Sequence, residues 1–189
     1  MDRTELRISG FGGQGVILAA YVLGKACAVV ENGHATLNQS FGPEARGSAC
    51  SAQLILSGEP VTYPYVRSID ILVAMSQDAY RQFANDVKPD GLVLIDEDLV
   101  TTEVRPRHQT LGVPATRIAE DLGRRIVANM VMVGFFAAST DLLQVHSVRE
   151  AIASSVPSGT EDVNLAAFDA GFDFGQSKVP HGHGEEVTA

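Results

Sequence analysis

The sequence is short of cysteine and of positive charge, and it contains no tryptophan. Only two of its 189 residues are cysteines, Cys27 and Cys50, whereas a protein-bound iron–sulfur cluster usually takes four thiolates. The 14 Lys and Arg residues are outnumbered by 23 Asp and Glu residues, which gives a formal net charge of −9. A surface that neutralises nucleic-acid phosphates needs clustered basic residues, so this composition argues against nucleic-acid binding.

Long apolar segments are also missing. The longest, Ile126 to Ala138, has 13 residues, which is too short to span a bilayer. Met1 to Glu5 lack the basic start and the apolar stretch of a secretory signal peptide. These absences predict a cytoplasmic protein without a membrane span, in which both cysteines are buried thiols of a reducing compartment.

The sequence offers no grouping that would mark a catalytic or metal centre. His34 and His108 are isolated, and there is no Ser-His-Asp set or His/Cys metal spacing. His181 and His183 lie in a stretch near the C-terminus for which a solvated tail is a simpler interpretation than a metal site. We therefore expect neither catalytic residues nor metal ligands on this chain.

The remaining composition is that of an ordinary globular protein, with 45% hydrophobic and 20% charged residues. The length fits a single domain, which we assign to residues 1–175. Residues 176–189 are predicted to form a disordered tail.

The most informative stretch runs from Leu6 to Leu18, where an alternating apolar strand leads into a cluster of glycines. Gly10, Gly12 and Gly15 fit the G-x-G-x-x-G spacing of a strand-turn-helix unit that binds phosphate. In such a unit the first glycine permits a tight turn, the second permits close approach of a phosphate, and the third lets the helix pack on the strand. The helix N-terminus then offers free N–H groups and a partial positive charge to an anion.

The identity of the phosphate ligand stays open at this point. A dinucleotide site usually has an Asp or Glu at the end of the second strand, where it binds the ribose hydroxyls. Glu31 lies at about the expected distance, but it precedes Asn32-Gly33 and is therefore placed in the last turn of the first helix. The second strand, Ala35 to Asn38, ends without an acid. The sequence therefore disfavours NAD and favours another phosphate-bearing ligand. The alternative to any ligand is that the glycines serve only the tight packing of the turn.

Strands and helices alternate over the first hundred residues. Further strands are predicted at Ser51–Leu56, Ile69–Met75 and Leu92–Ile95, helices at Val16–Val30 and Asp78–Val87, and a turn at Lys88–Gly91. The run Ile69–Met75 shows little polar alternation, which is typical of a parallel strand covered on both faces. The pattern predicts an α/β fold with a doubly wound, mostly parallel sheet and a Rossmann-like first βαβ unit.

A long helix is predicted in the second half of the chain, capped by Thr116, bent near Gly123 and continuing to about Ala138. Its second half is apolar nearly all round, which indicates either a central core helix or an interface helix. Within it, Asn129 is expected to bond to backbone in the core, with ligand contact as the alternative. Two short peripheral helices follow, at residues 147–155 and 162–170.

The segment Ser40 to Ser48 is predicted to be a loop because it is polar and interrupted by Gly and Pro. It leaves the second strand, which places it beside the glycine turn in a doubly wound sheet, where loops commonly carry function. Arg46 could bind a phosphate or a carboxylate through its planar fork. An ion pair between Glu44 and Arg46 that shapes the loop is the alternative, and the sequence does not separate the two.

Three motifs together resemble a known family. They are Gly10-Phe-Gly-Gly-Gln-Gly15, the loop Gln39-Ser-Phe-Gly-Pro-Glu-Ala-Arg-Gly47 and Arg125-Ile-Val-Ala-Asn-Met-Val-Met132. Over about residues 4–173 the sequence resembles the gamma subunit of 2-oxoacid:ferredoxin oxidoreductases, the pyruvate/ketoisovalerate oxidoreductase catalytic-domain family. The loop is the most specific motif and is most similar to the 2-oxoglutarate-type branch. Ser48 departs from the pattern, because many relatives have a second glycine after Arg-Gly.

The resemblance implies a multi-subunit enzyme that decarboxylates a 2-oxoacid, here 2-oxoglutarate, on thiamine diphosphate. Electrons pass through iron–sulfur clusters to ferredoxin, and an acyl-CoA is formed. Thiamine diphosphate and the clusters are then expected on partner subunits, alpha and beta with a ferredoxin-like delta subunit in some complexes. The alternative function is a free-standing nucleotide-binding protein or an NAD(P)-dependent dehydrogenase.

Coenzyme A (CoA) becomes the expected ligand of the glycine turn, because it is a phosphorylated ADP derivative that does not demand the acid of an NAD site. The residues expected to contact it are Gly10, Gly12, Gly13, Gln14, Gly15, Ser40, Gly42, Pro43, Glu44 and Arg46.

Overall fold

The computed structural model describes residues 1–41, 49–102 and 108–178. Its strands are β1 (Thr4–Phe11), β2 (His34–Phe41), β3 (Ala49–Ser57), β4 (Ile69–Ala74), β5 (Val87–Asp96) and β6 (Gln109–Val113). Its α-helices are α1 (Val16–Lys25), α2 (Gln77–Phe83), α3 (Ala115–Asp121), α4 (Ala128–Ser139), α5 (Val145–Ala153) and α6 (Glu161–Lys178). These strands form one sheet in the order β2-β3-β1-β4-β5-β6. β3 is antiparallel to both of its neighbours, and the other neighbouring pairs are parallel.

Helices cover both faces of this sheet. On one face, the side chains of Leu6 and Ile8 in β1 belong to the same apolar core as α1 and α4. On the other face, Leu72 of β4 and Val93 of β5 pack with Ala79 and Tyr80 of α2. β4 contributes side chains to the cores on both faces of the sheet, which explains why its sequence is apolar with little polar alternation. The predicted doubly wound, mostly parallel α/β fold is confirmed.

The predicted turn at Lys88–Gly91 is wrong, because these residues belong to β5. The ladder between β4 and β5 pairs Ile69 with Val87 and next pairs Ile71 with Leu92. The four residues between Val87 and Leu92 therefore form a bulge in β5. β6 starts to pair only at Leu92, so the proline at position 89 removes no ladder hydrogen bond. The sequence prediction also missed β6, a short edge strand of five residues.

The predicted long helix is two helices. α3 ends at Asp121, and the chain turns through Gly123 at φ +79° before α4 begins at Ala128. Thr116 does not cap α3, since α3 starts at Ala115 and the Thr116 hydroxyl donates to the Asp96 carboxylate at 2.6 Å. A glycine with left-handed backbone ends a helix at low cost, which explains the break.

α4 is a core helix, since every residue from Ala128 to Ala138 is buried. The prediction of a short peripheral helix at residues 162–170 is wrong, because α6 has 18 residues and packs along α4. Gly134 of α4 and Gly171 of α6 lie against the backbone of the opposite helix, where a Cβ would overlap a carbonyl group. Two glycines therefore let the helix backbones approach closely, a pairing that sequence periodicity does not reveal.

Gly134→Ala is expected to lower the free energy of unfolding by about 1–3 kcal/mol, because the new methyl group would collide with the Phe168 carbonyl. Gly24→Ala is the matched control. Its added Cβ would meet the end of the Leu54 side chain at 3.1 Å and the Ala35 Cβ at 3.7 Å, and the better helix propensity of alanine offsets this crowding. Urea unfolding of the purified chain measures both variants. Equal stability of the two would contradict the close helix contact.

α6 continues through Lys178, so residues 176–178 of the predicted tail are helical. The rest of that tail, with His181 and His183, lies outside the described residues. Among the residues described, no helix combines the length and the apolar character needed to cross a membrane.

Candidate functional site

The glycine turn lies where β1 ends and α1 begins, at the carboxyl edge of the parallel strands. β1 ends at Phe11, and Gly15 occupies the position before the first turn of α1 with φ +72°. Gly13 also has a left-handed backbone, at φ +97°. Other residue types rarely adopt these angles, so both positions favour glycine for backbone reasons.

Gln14 holds the turn closed from inside. Its side-chain Oε1 accepts a hydrogen bond from the Phe11 N–H at 2.6 Å, and its Nε2 donates to the Met75 carbonyl at 2.8 Å. One amide therefore ties the end of β1 to the end of β4. Gly10 lies directly beneath it, and a Cβ there would overlap Gln14 Oε1. Sequence reasoning placed Gln14 among the ligand contacts, which stays a prediction; in the structure its side chain positions the turn.

Asn129 supports the turn from α4. Its Nδ2 donates to the Gly15 carbonyl at 3.2 Å, so the expected bond to backbone is the one observed. A Cβ on Gly15 would overlap the Asn129 amide. The third glycine of the motif is therefore needed for contact with α4, and not for packing of α1 on the strand as the sequence pattern predicted.

The turn also presents exposed backbone donors. Gly12 and Gly13 are exposed, and within the described part of the chain their N–H groups find no acceptor. They lie next to the first turn of α1, where the helix dipole adds a partial positive charge. Open N–H groups at a helix N-terminus are suited to an anion such as a phosphate.

A cavity of about 270 Å³ opens beside the turn. It lies between the turn, the end of β4, the start of α3 and the residues that lead into α4. Its lining consists of Gly13, Gln14, Met75, Thr116, Arg125, Ile126 and Ala128. Phosphate donors, apolar side chains and a guanidinium thus meet around one space, which suits an anionic ligand that also has apolar surface.

Asp96 lies at the same edge of the sheet but is used internally. It is 1% exposed at the end of β5, and it accepts hydrogen bonds from the Thr116 hydroxyl at 2.6 Å and the Asp98 N–H at 3.2 Å. Burial raises the pKa of Asp96, while the hydrogen bonds from Thr116 and Asp98 oppose that shift. Its oxygens therefore tie the end of β5 to the start of α3 and position Thr116 at the cavity.

The predicted loop of Ser40 to Ser48 is only partly described. Ser40 is an exposed residue of β2, and Gly42, Pro43, Glu44 and Arg46 lie outside the described residues. Both ends of the loop are placed by the ladders, which pair Phe41 with Cys50 and Phe11 with Ala49. The loop therefore starts and ends at the edge that carries the glycine turn.

Glu31, the candidate acid of an NAD site, does not lie at this edge. β2 runs parallel in direction to β1, and Glu31 precedes β2, at the opposite end of the sheet. There Glu31 follows a π-helical turn over Ala26–Val30 that extends α1, and its carboxylate accepts the Gln144 N–H at 2.7 Å. The structure thus gives Glu31 a packing role.

Both cysteines are buried free thiols, as predicted. Burial raises the pKa of Cys27 and of Cys50, which keeps both protonated and unreactive. Among the described residues, no group of three or more His, Cys, Asp or Glu side chains could hold a metal ion.

Comparison with known proteins assigns the chain to a class. Residues 5–174 match the model of the pyruvate ferredoxin/flavodoxin oxidoreductase family. The chain belongs to this family, and the expectation of an oxidoreductase gamma subunit is confirmed.

Individual relatives are similar over nearly their whole length. Subunit KorC of 2-oxoglutarate synthase from Methanocaldococcus jannaschii is 47% identical over 174 residues, which cover 90% of this chain and 93% of the relative. The gamma subunit of a keto/oxoacid ferredoxin oxidoreductase from Geobacter sulfurreducens has a TM-score of 0.82 at 34% identity, covering 92% of this chain and 99% of that one.

A third comparison concerns the fold alone. The 2-oxoglutarate:ferredoxin oxidoreductase from Magnetococcus marinus, solved with 2-oxoglutarate, coenzyme A and succinyl-CoA, has a TM-score of 0.84 at 21% identity. The match covers 94% of this chain and 32% of the Magnetococcus chain, so the same fold occurs there as part of a longer polypeptide.

Proposed function

We propose that this chain is the gamma subunit of a 2-oxoglutarate:ferredoxin oxidoreductase and that its glycine turn binds CoA. The observation that carries the CoA assignment is the pair of N–H groups at Gly12 and Gly13, which have no acceptor among the described residues and lie beside the 270 Å³ cavity. The choice of 2-oxoglutarate rests on the full-length similarity to KorC. In the complex, decarboxylation of the 2-oxoacid and electron transfer to ferredoxin take place on partner subunits.

The residues present fit CoA better than NAD. The turn and the helix N-terminus supply donors for a pyrophosphate, while the described strand β2, His34–Phe41, contains no acid that could bind ribose hydroxyls. In this proposal the CoA site is formed by residues of the turn and of the loop, namely Gly10, Gly12, Gly13, Gln14, Gly15, Ser40, Gly42, Pro43, Glu44 and Arg46. Gly10, Gln14 and Gly15 contribute by shaping the turn, and Gly12, Gly13 and Arg46 contribute by direct contact.

The partners in this proposal are alpha and beta subunits, with a ferredoxin-like delta subunit where the complex has one. These chains are expected to hold thiamine diphosphate and the iron–sulfur clusters, and the whole complex is expected in the cytoplasm. A free-standing nucleotide-binding protein or an NAD(P)-dependent dehydrogenase is the competing function, and it requires activity from this chain alone.

Native purification tests the proposal. An affinity tag on this chain should recover stoichiometric partner chains, and the purified complex should form acyl-CoA from 2-oxoglutarate and CoA with reduction of ferredoxin. The separately expressed chain should be colourless, because its two buried cysteines are fewer than the four thiolates that an iron–sulfur cluster usually takes. It should also be inactive, because no catalytic grouping is expected on it. A cluster absorption band, or oxidoreductase activity of the chain by itself, would contradict the subunit assignment.

A further inference from the structure

We propose that Arg125 binds the ribose 3′-phosphate of CoA, separately from the pyrophosphate at the glycine turn. This inference rests on the proposed function. CoA carries two anionic groups, a pyrophosphate and a monophosphate on the ribose. A site that accepts the whole molecule therefore benefits from two separate sets of donors, and the cavity provides them.

The two sets belong to different segments of the chain. Gly13 and Gln14 bring the β1–α1 turn to one wall of the cavity, and Arg125, in the helical turn before α4, brings a guanidinium to another. Arg125 is the one charged side chain among the described residues that line the cavity. The adjacent N–H groups of Gly12 and Gly13 in that turn suit a pyrophosphate, and a planar guanidinium can bind a phosphate with two parallel hydrogen bonds.

The present partner of Arg125 does not hold it firmly. Its Nε lies 3.6 Å from Glu120 Oε1, and the two side chains are 65% and 52% exposed. An exposed ion pair of this kind contributes little to stability, so the guanidinium can turn to a phosphate at small cost. Arg117 of α3 differs, because it pairs with Asp98 at 3.1 Å and with Glu97 at 3.8 Å.

The test compares CoA with 3′-dephospho-CoA, each titrated calorimetrically into the purified complex. Arg125→Ala should weaken CoA binding about tenfold or more and leave 3′-dephospho-CoA binding unchanged, because only CoA carries the lost contact. Arg125→Lys keeps the charge without the bidentate geometry of the guanidinium, and its CoA affinity should fall between those of wild type and Arg125→Ala. Arg124→Ala is the matched control, since this neighbouring arginine is exposed and does not line the cavity.

Glu120→Gln adds an independent readout. It releases Arg125 from its carboxylate partner, so CoA should bind as tightly as before or more tightly, again with no change for 3′-dephospho-CoA. Equal weakening of both ligands by Arg125→Ala would overturn the assignment to the 3′-phosphate, and so would no weakening of either. Failure of the proposed function is distinct, because the wild-type complex would then bind neither ligand.

Discussion

Gly12→Val is expected to weaken CoA binding to the assembled complex by about a hundredfold or more. A valine side chain would stand where the phosphate must approach the backbone, so the contacts to the open N–H groups would be lost together. Each charge-assisted hydrogen bond contributes about 1.5–3 kcal/mol, and each 1.4 kcal/mol is about tenfold in affinity. Two lost contacts therefore give the stated effect.

The fold should survive this substitution. Gly12 is exposed, and its φ does not lie in the left-handed region that Gly13 and Gly15 occupy. Valine can therefore take the native backbone at position 12. Calorimetry with CoA and thermal unfolding measure the two effects, and Gly12→Ala should give a smaller loss of affinity. Unchanged CoA affinity in Gly12→Val would leave the glycine turn with a structural role alone.

Gly15→Ala shows why the third glycine is a poor probe of the ligand. An added Cβ would overlap the Asn129 amide, and the backbone at φ +72° would be strained. A loss of CoA binding in that variant would report damage to the turn as much as loss of a contact. Gly12 is the position at which the functional role of the motif can be separated from its structural role.

The sequence was sufficient to predict the features that depend on local rules. The strand-turn-helix unit follows from the apolar alternation of Leu6 to Ile8 and from glycines whose spacing matches backbone requirements. The buried strand at Ile69 follows from its unbroken apolar run. Each of these signals lies within about ten residues of the feature it predicts.

Features that depend on distant contacts escaped prediction. Gln14 bonds to Met75, 61 positions away, and Asn129 bonds to Gly15, 114 positions away. Neither pair produces a periodic pattern in the sequence. The sequence therefore predicts the glycine turn but not the side chains that hold it in place. Arg125 was noted only as the first residue of a family motif, and its place at the cavity depends on the break at Gly123.

Polar residues misled the prediction at β5. Lys88 and its neighbours look like a turn, but the Lys88 ammonium binds Asp70 Oδ1 at 2.5 Å and its carbonyl lies 2.9 Å from the His108 ring. These contacts hold an irregular strand extended at the edge opposite the glycine turn. Contacts with Asp70 of β4 and with His108, which directly precedes β6, override the local propensity for a turn.

Arg46→Ala is expected to weaken CoA use by roughly ten- to over a hundredfold, since loss of a desolvated phosphate contact costs about 1.5–3 kcal/mol. Arg46 belongs to the loop whose two ends, at Phe41 and Ala49, lie beside the glycine turn. A chain with a formal net charge of −9 has few basic residues for a phosphate. Arg46→Lys retains the charge without bidentate geometry and should fall between wild type and alanine.

The competing role of Arg46 is to brace its loop through an ion pair with Glu44. In that case Glu44→Ala and Arg46→Ala should impair the complex alike, with the Michaelis constant for CoA unchanged. Direct phosphate contact instead predicts a raised Michaelis constant in Arg46→Ala and little change in Glu44→Ala. A contact to the pyrophosphate further predicts that Arg46→Ala weakens CoA and 3′-dephospho-CoA equally, since both ligands carry that group. Steady-state kinetics with each ligand therefore separates the brace from the contact, and separates Arg46 from Arg125.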